Sequence, residues 1–145
     1  MTASTPADHA LVLIAEDDPE DLFLMQRALQ RLRPGLATVA ARDGIELFEY
    51  LQGCTPATLP KLLIIDLNMP RMDGREVLRG LHGDARYGAL PVVVMTTSVE
   101  QEDFNFAQAH NTAQVLSKPE AFSEMMQRLG ALLDTHFGVV EEGVR

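Results

Sequence analysis

LVLIAEDDPED, Leu11 to Asp21, runs five apolar residues directly into five carboxylates within the six positions Glu16 to Asp21. An apolar run this short and unbroken suits a strand buried on both faces, as in a parallel sheet. The same grammar recurs along the chain. ALVLIA (10–15), LATVAA (36–41), KLLII (61–65), PVVVM (91–95) and QVLS (114–117) are the strand candidates. Amphipathic patterns separate them. Leu22, Met25, Leu29 and Leu32 fall at helical spacing, as do Phe122, Met125, Met126, Leu129, Leu132 and Leu133. Weaker helical patterns cover Ile45 to Leu51, Gly74 to His82 and Val99 to Ala109. Five strand-then-helix units predict an α/β fold: a five-stranded parallel sheet with helices on both faces, a three-layer sandwich.

Composition bounds the rest. With 145 residues the chain has length for one domain and a real core. Twelve basic against 21 acidic residues give a net charge of −9, which disfavours nucleic acid and anionic membrane as partners. Cys54 is the only cysteine, so neither an intrachain disulfide nor a cysteine-rich zinc site can form. MTASTPADHA lacks the basic start and apolar centre of a signal peptide, and no apolar run approaches the ~20 residues of a membrane span. The expectation is a cytoplasmic protein with an N-terminal segment (1–9), one domain (10–137) and a tail (138–145).

In an open parallel sheet, ligands bind beyond the carboxyl ends of the strands. Here the first strand ends in Glu16-Asp17-Asp18, and the third in Asp66, which opens DLNMPRMDG. The fourth ends in MTTS (95–98) and the fifth in Ser117-Lys118-Pro119. Acids from two strands, a hydroxyl and an ammonium therefore converge on one edge. Carboxylates from separate strands can hold a hard divalent cation, which relieves their mutual repulsion. A remaining carboxylate can attack phosphorus, with a lysine and a hydroxyl stabilising the phosphoryl oxygens. Each motif alone has a plainer reading: a helix cap for the acids and for Thr-Thr-Ser, a surface turn for Lys-Pro. Four suitable groups at four strand ends outweigh those readings.

In order and spacing, EDD, DLNMPRMDG, MTTS and SKP resemble the receiver domain of two-component response regulators, the (βα)5 CheY-like (flavodoxin-like) fold, over roughly Leu11 to Phe137. The resemblance implies that Asp66 accepts a phosphoryl group from the phosphohistidine of a sensor histidine kinase. It implies Mg²⁺ bound by the carboxylates of Asp17 and Asp66 and the Asn68 backbone carbonyl, with Glu16 helping through water. Thr96 would hydrogen-bond the phosphoryl group and Lys118 would pair with it, aided by a cis bond to Pro119. The family's usual aromatic residue three positions before the lysine is Val115 here, so the signal would spread differently. EDDPED, TTS and a tail after a long last helix are most similar to small regulators paired with phytochrome-type kinases. Those regulators resemble one another in homodimerising through the last helix and tail; burial of Phe137, Val139 and Val140 against a second subunit is one expectation for this end of the chain, and a frayed, disordered terminus is the other. Only GVVEEGVR would follow that helix, so output is expected through protein contact or relay to a downstream phosphotransfer protein.

Other readings have less support. There is no GxxxxGK[ST] or GxGxxG. A haloacid-dehalogenase-type phosphatase would want an acid where Asn68 stands. The histidines (9, 82, 110 and 136) are scattered, and one of Phe104 and Phe106 is expected to face outward. A phosphorylation-independent scaffold keeping only the fold is the remaining alternative. Among the five acids at the first strand end, Glu16 and Asp17 are assigned to the cation. Asp18 is expected as a helix N-cap before Pro19, with Asp21 in the capping-box position.

Overall fold

The computed structural model describes residues 11–97, 100–110, 112 and 114–138. Five strands, β1 (Leu11–Ala15), β2 (Ala37–Ala41), β3 (Leu62–Ile65), β4 (Val92–Thr96) and β5 (Gln114–Ser117), alternate with five helices. These are α1 (Pro19–Leu32), α2 (Gly44–Gln52), α3 (Gly74–His82), α4 (Gln101–Ala109) and α5 (Phe122–Phe137). The sheet is wholly parallel, in the order β2-β1-β3-β4-β5. Every predicted strand and helix is present.

Strand alternation divides the core in two. Val12, Ile14, Leu62, Ile64, Val93 and Met95 face α1 and α5, meeting Met25, Leu29, Met125, Leu129 and Leu133. Leu13, Ala15, Leu63, Ile65, Val92 and Val94 face the other way, onto Leu47, Leu51, Val77, Leu78, Leu81 and Ala107 of α2, α3 and α4. Both faces of β1, β3 and β4 are thus covered, which is why these strands read as continuous apolar runs. The two edge strands depart from the expected burial. Ala37 and Ala40 of β2 and Gln114 and Ser117 of β5 are exposed, because an edge strand is covered less completely.

Two features were not anticipated. A short 3₁₀ turn, Ala85–Tyr87, follows α3, capped by the Asp84 carboxylate accepting from the Arg86 amide. The Lys118–Pro119 bond is trans, since no cis peptide occurs among the described residues. Lys118 reaches the strand ends without it, because its own N–H extends the β4–β5 ladder to the Thr96 carbonyl at 2.8 Å. Phe104 and Phe106 are both half-buried, Phe106 packing on the core and stacking on His110 at 4.2 Å, so neither is freely presented. Phe137 packs against this chain's own α1–α5 core, while Val139, Val140, Ser98 and segments 1–9 and 139–145 lie outside the described residues.

Candidate functional site

The strand ladders themselves position the site. The Glu16 N–H donates to the Ala41 carbonyl at 2.9 Å, and the Asp66 N–H to the Ala15 carbonyl at 3.0 Å. With the Lys118–Thr96 bond, these place Glu16, Asp66 and Lys118 just past the carboxyl ends of β1, β3 and β5, beside Thr96, the last residue of β4. Strand order reverses between β1 and β3, so Glu16, Asp17 and Asp66 stand at the switch point where such sheets bind ligands.

Carboxylate oxygens of Glu16, Asp17 and Asp66 lie within 4.8 Å of one another. Glu16 and Asp66 are buried and Asp17 is exposed, so the cluster opens to solvent on one side. Oxygen donors from three carboxylates fit a hard divalent cation. Thr96 is fully buried, and its Oγ accepts from the Asn68 side-chain amide at 3.4 Å. The Asn68 backbone N–H in turn donates to Asp66 Oδ1 at 3.1 Å. Thr96, Asn68 and Asp66 thereby form one hydrogen-bonded chain.

Lys118 is the hub. Its side chain is only 5% exposed. Its ammonium lies 2.7 Å from Glu16 Oε1, 2.9 Å from Asp21 Oδ2 and 3.0 Å from Asp66 Oδ2. Burial works against the ammonium charge, but the Glu16 and Asp21 carboxylates overcome it and raise the Lys118 pKa. Burial also pushes the Glu16 carboxyl up to about 7, against the stabilising bonds from Lys118 and the Asp18 N–H. The cluster is therefore a compact store of charge in a poorly solvated place.

At the first strand end the five acids divide differently from expectation. Asp18 is the N-cap, with Pro19 opening α1 and the Glu20 and Asp21 amides donating to its carboxylate. Asp21 does not close a capping box. The Asp18 N–H donates to Glu16 Oε2 at 3.1 Å instead, and Asp21 turns to Lys118. Its part in the site was hidden because an acid three residues after an N-cap is an ordinary helix start.

A second missed group supports the loop after β3. Arg71 Nε donates to Asp43 Oδ2 at 2.7 Å, and Asp43 caps α2 by accepting from the Glu46 amide at 2.9 Å. That amide and the Arg71 guanidinium, against the cost of burial, hold the Asp43 carboxyl below its ordinary value. Gly74 makes the close approach at the loop's far end, where a Cβ would stand 2.6 Å from the Asp66 carbonyl oxygen. Among the described residues, Glu16, Asp17 and Asp66 are the carboxylate, histidine or cysteine group able to hold a metal. His82 and His110 meet edge to face, with centroids 5.4 Å apart, but with no third ligand.

A parallel (βα)5 sheet with an acidic, cation-ready switch point and a buried lysine defines a phosphoryl-transfer signalling domain rather than a conventional enzyme. A family model described as the response regulator receiver domain matches residues 12–130, and the chain belongs to that family. It is 30% identical over 133 residues to the probable methanogenesis regulatory protein FilR2 of Methanothrix harundinacea, covering 90% of this chain and 86% of that one. It is also similar to the phosphorylated cyanobacterial phytochrome response regulator RcpA, with a TM-score of 0.82, 28% identity and coverage of 91% of this chain and 96% of that chain. The Mn²⁺-bound response regulator Rcp1 superposes with a TM-score of 0.78 at 26% identity, over 90% of this chain and 97% of that one. Several longer curated regulators match over only a quarter to about half of their own length. The acidic cluster is of the kind phosphorylated on aspartate by a cognate histidine kinase. No helix among the described residues is long and apolar enough to cross a membrane.

Proposed function

We propose that this protein is a phosphorylation switch in which Asp66 takes a phosphoryl group from the phosphohistidine of a sensor histidine kinase. The observation that carries the reading is the Lys118 ammonium, held within 3.0 Å of both Glu16 and Asp66 at the sheet's switch point. Asp66 is the nucleophile. One of its carboxylate oxygens forms the new P–O bond while the donor P–N bond breaks and the imidazole keeps the electron pair. Lys118 offers N–H donors to the phosphoryl oxygens, and the Thr96 hydroxyl offers another. Glu16, Asp17, Asp66 and the Asn68 carbonyl would hold Mg²⁺, which when bound supplies positive charge to the phosphoryl oxygens and separates the acids.

Phosphorylation removes the charge from the Asp66 carboxyl and places a dianion beyond it. The Thr96–Asn68–Asp66 chain must rearrange, and Val115, half-buried beside the α4 side of the core, gives that rearrangement an aliphatic rather than aromatic neighbour. Output then comes through altered protein contacts. A phytochrome-type kinase is the partner favoured by the likeness to RcpA, and a second copy of this chain or a downstream phosphotransfer protein belongs to the same reading.

The test is incubation of the full chain with Mg²⁺ and acetyl phosphate, read by intact mass. One phosphoryl adduct is expected, lost in Asp66→Asn and lost when the cation is chelated. An adduct that persists in Asp66→Asn would place the acceptor elsewhere. For self-association, a chain lacking residues 139–145 should be a monomer in solution where the full chain is a dimer; an unchanged oligomeric state contradicts the tail contact.

A further inference from the structure

Lys118 has three N–H donors, and three carboxylates take them. Two of the three, Glu16 and Asp66, belong to the cation-ready cluster; Asp21 does not. It stands on the first turn of α1, one helical turn beyond Asp17, with its side chain 29% exposed where Lys118 is buried. We propose that Asp21 is a positioning residue that draws Lys118 toward α1 and so restrains phosphoryl transfer to Asp66. This inference rests on the reading of Asp66 as acceptor and adds to it a residue that sets the rate.

The reasoning is electrostatic. In transfer from acetyl phosphate, an Asp66 oxygen bonds to phosphorus as the phosphorus–oxygen bond to acetate breaks, and acetate leaves with the electron pair. The incoming dianion needs the Lys118 charge and its N–H donors. Once Asp66 is phosphorylated its carboxylate charge is gone, so that partner releases the ammonium during the reaction. Asp21 never does. Its fixed negative charge continues to offset Lys118, retains one donor, and repels a dianionic donor at the mouth of the site. No hydrogen bond to the α1 backbone accounts for the Asp21 carboxylate, since Glu16 has taken the Asp18 N–H that a capping box would use.

The experiment compares wild type with Asp21→Asn, Asp21→Glu and Asp18→Asn in the full chain. Asp18→Asn removes the same charge from the same turn but touches no lysine, and asparagine still caps α1. Labelling by acetyl phosphate with saturating Mg²⁺ should quicken roughly three- to ten-fold in Asp21→Asn, return toward wild type in Asp21→Glu, and stay unchanged in Asp18→Asn. In the metal-free protein, the Lys118 ¹⁵Nζ resonance should move in Asp21→Asn and not in Asp18→Asn. Equal or slower labelling in Asp21→Asn, an equal gain in Asp18→Asn, or an unmoved Lys118 resonance would overturn the proposal while leaving Asp66 as acceptor. Failure of the wild type to label at Asp66 would overturn both.

Discussion

Arg71 and Asp43 join the loop that carries Asp66 to the start of a different helix: the guanidinium Nε lies 2.7 Å from a carboxylate that is almost wholly buried and also caps α2. The Gly44 N–H reinforces the link by donating to the Met72 carbonyl at 2.9 Å. One end of the phosphoacceptor loop is thereby fixed to α2, and Gly74 fixes the other against Leu67.

Replacing Asp43 by alanine removes a cap and strands Arg71. A loss of about 1–3 kcal/mol in unfolding free energy is expected from the cap and the charged hydrogen bond together. Because the folded state holds this carboxyl below its ordinary value, its contribution is fully present above the unfolded pKa. It disappears as the pH falls through the lowered folded value. Urea unfolding of wild type and Asp43→Ala should therefore differ most at neutral pH and converge in strong acid.

Arg71 has φ 65°, a left-handed conformation that costs an L residue energy. Arg71→Ala loses the ion pair and keeps the strain, whereas Arg71→Gly loses the pair and relieves the strain. The glycine variant should be the more stable of the two by about 0.5–1 kcal/mol. Equal stabilities would mean the backbone there is not strained.

Gly74→Ala should be worse than either. Its new methyl would press on the Asp66 carbonyl and the Leu67 Cα, both 2.6 Å away, so backbone rather than a flexible side chain must move. Roughly 1–3 kcal/mol of destabilisation is expected, together with slower labelling because Asp66 itself is displaced. Thermal unfolding and acetyl phosphate labelling together check this.

Much of this was legible in the sequence. The three inner strands announced themselves because both faces are buried, and the motif acids followed from where those strands end. Asp66, Thr96 and Lys118 come together as the parallel fold requires. Contacts between side chains distant in sequence were not legible. Asp21 looked like half of a capping box, while its partner Lys118 lies 97 residues away, past the end of β5. Arg71 looked like part of a turn, since its partner Asp43 lies on another loop. The expected cis Lys118–Pro119 bond is not found, and the Lys118 N–H continues the β4–β5 ladder at 2.8 Å from the Thr96 carbonyl.

Asp17 and Asp18 are adjacent and should behave oppositely. Asp17→Asn removes a carboxylate from the cluster and should weaken divalent-cation binding, measured by isothermal titration, at least ten-fold. Asp18→Ala removes the α1 cap and should cost about 0.5–2 kcal/mol of stability while leaving cation affinity close to wild type. Reversal of the two effects would shift the metal site by one residue.

If Asp66 takes the phosphoryl group it becomes an acyl phosphate, which borohydride trapping detects at the residue itself. Borohydride reduces an aspartyl phosphate to homoserine, which marks the acceptor permanently for peptide sequencing by mass spectrometry. After incubation with Mg²⁺ and acetyl phosphate, homoserine is expected at position 66 alone. Homoserine at 17, 18 or 21, or an unmodified residue 66 in phosphorylated protein, would contradict it.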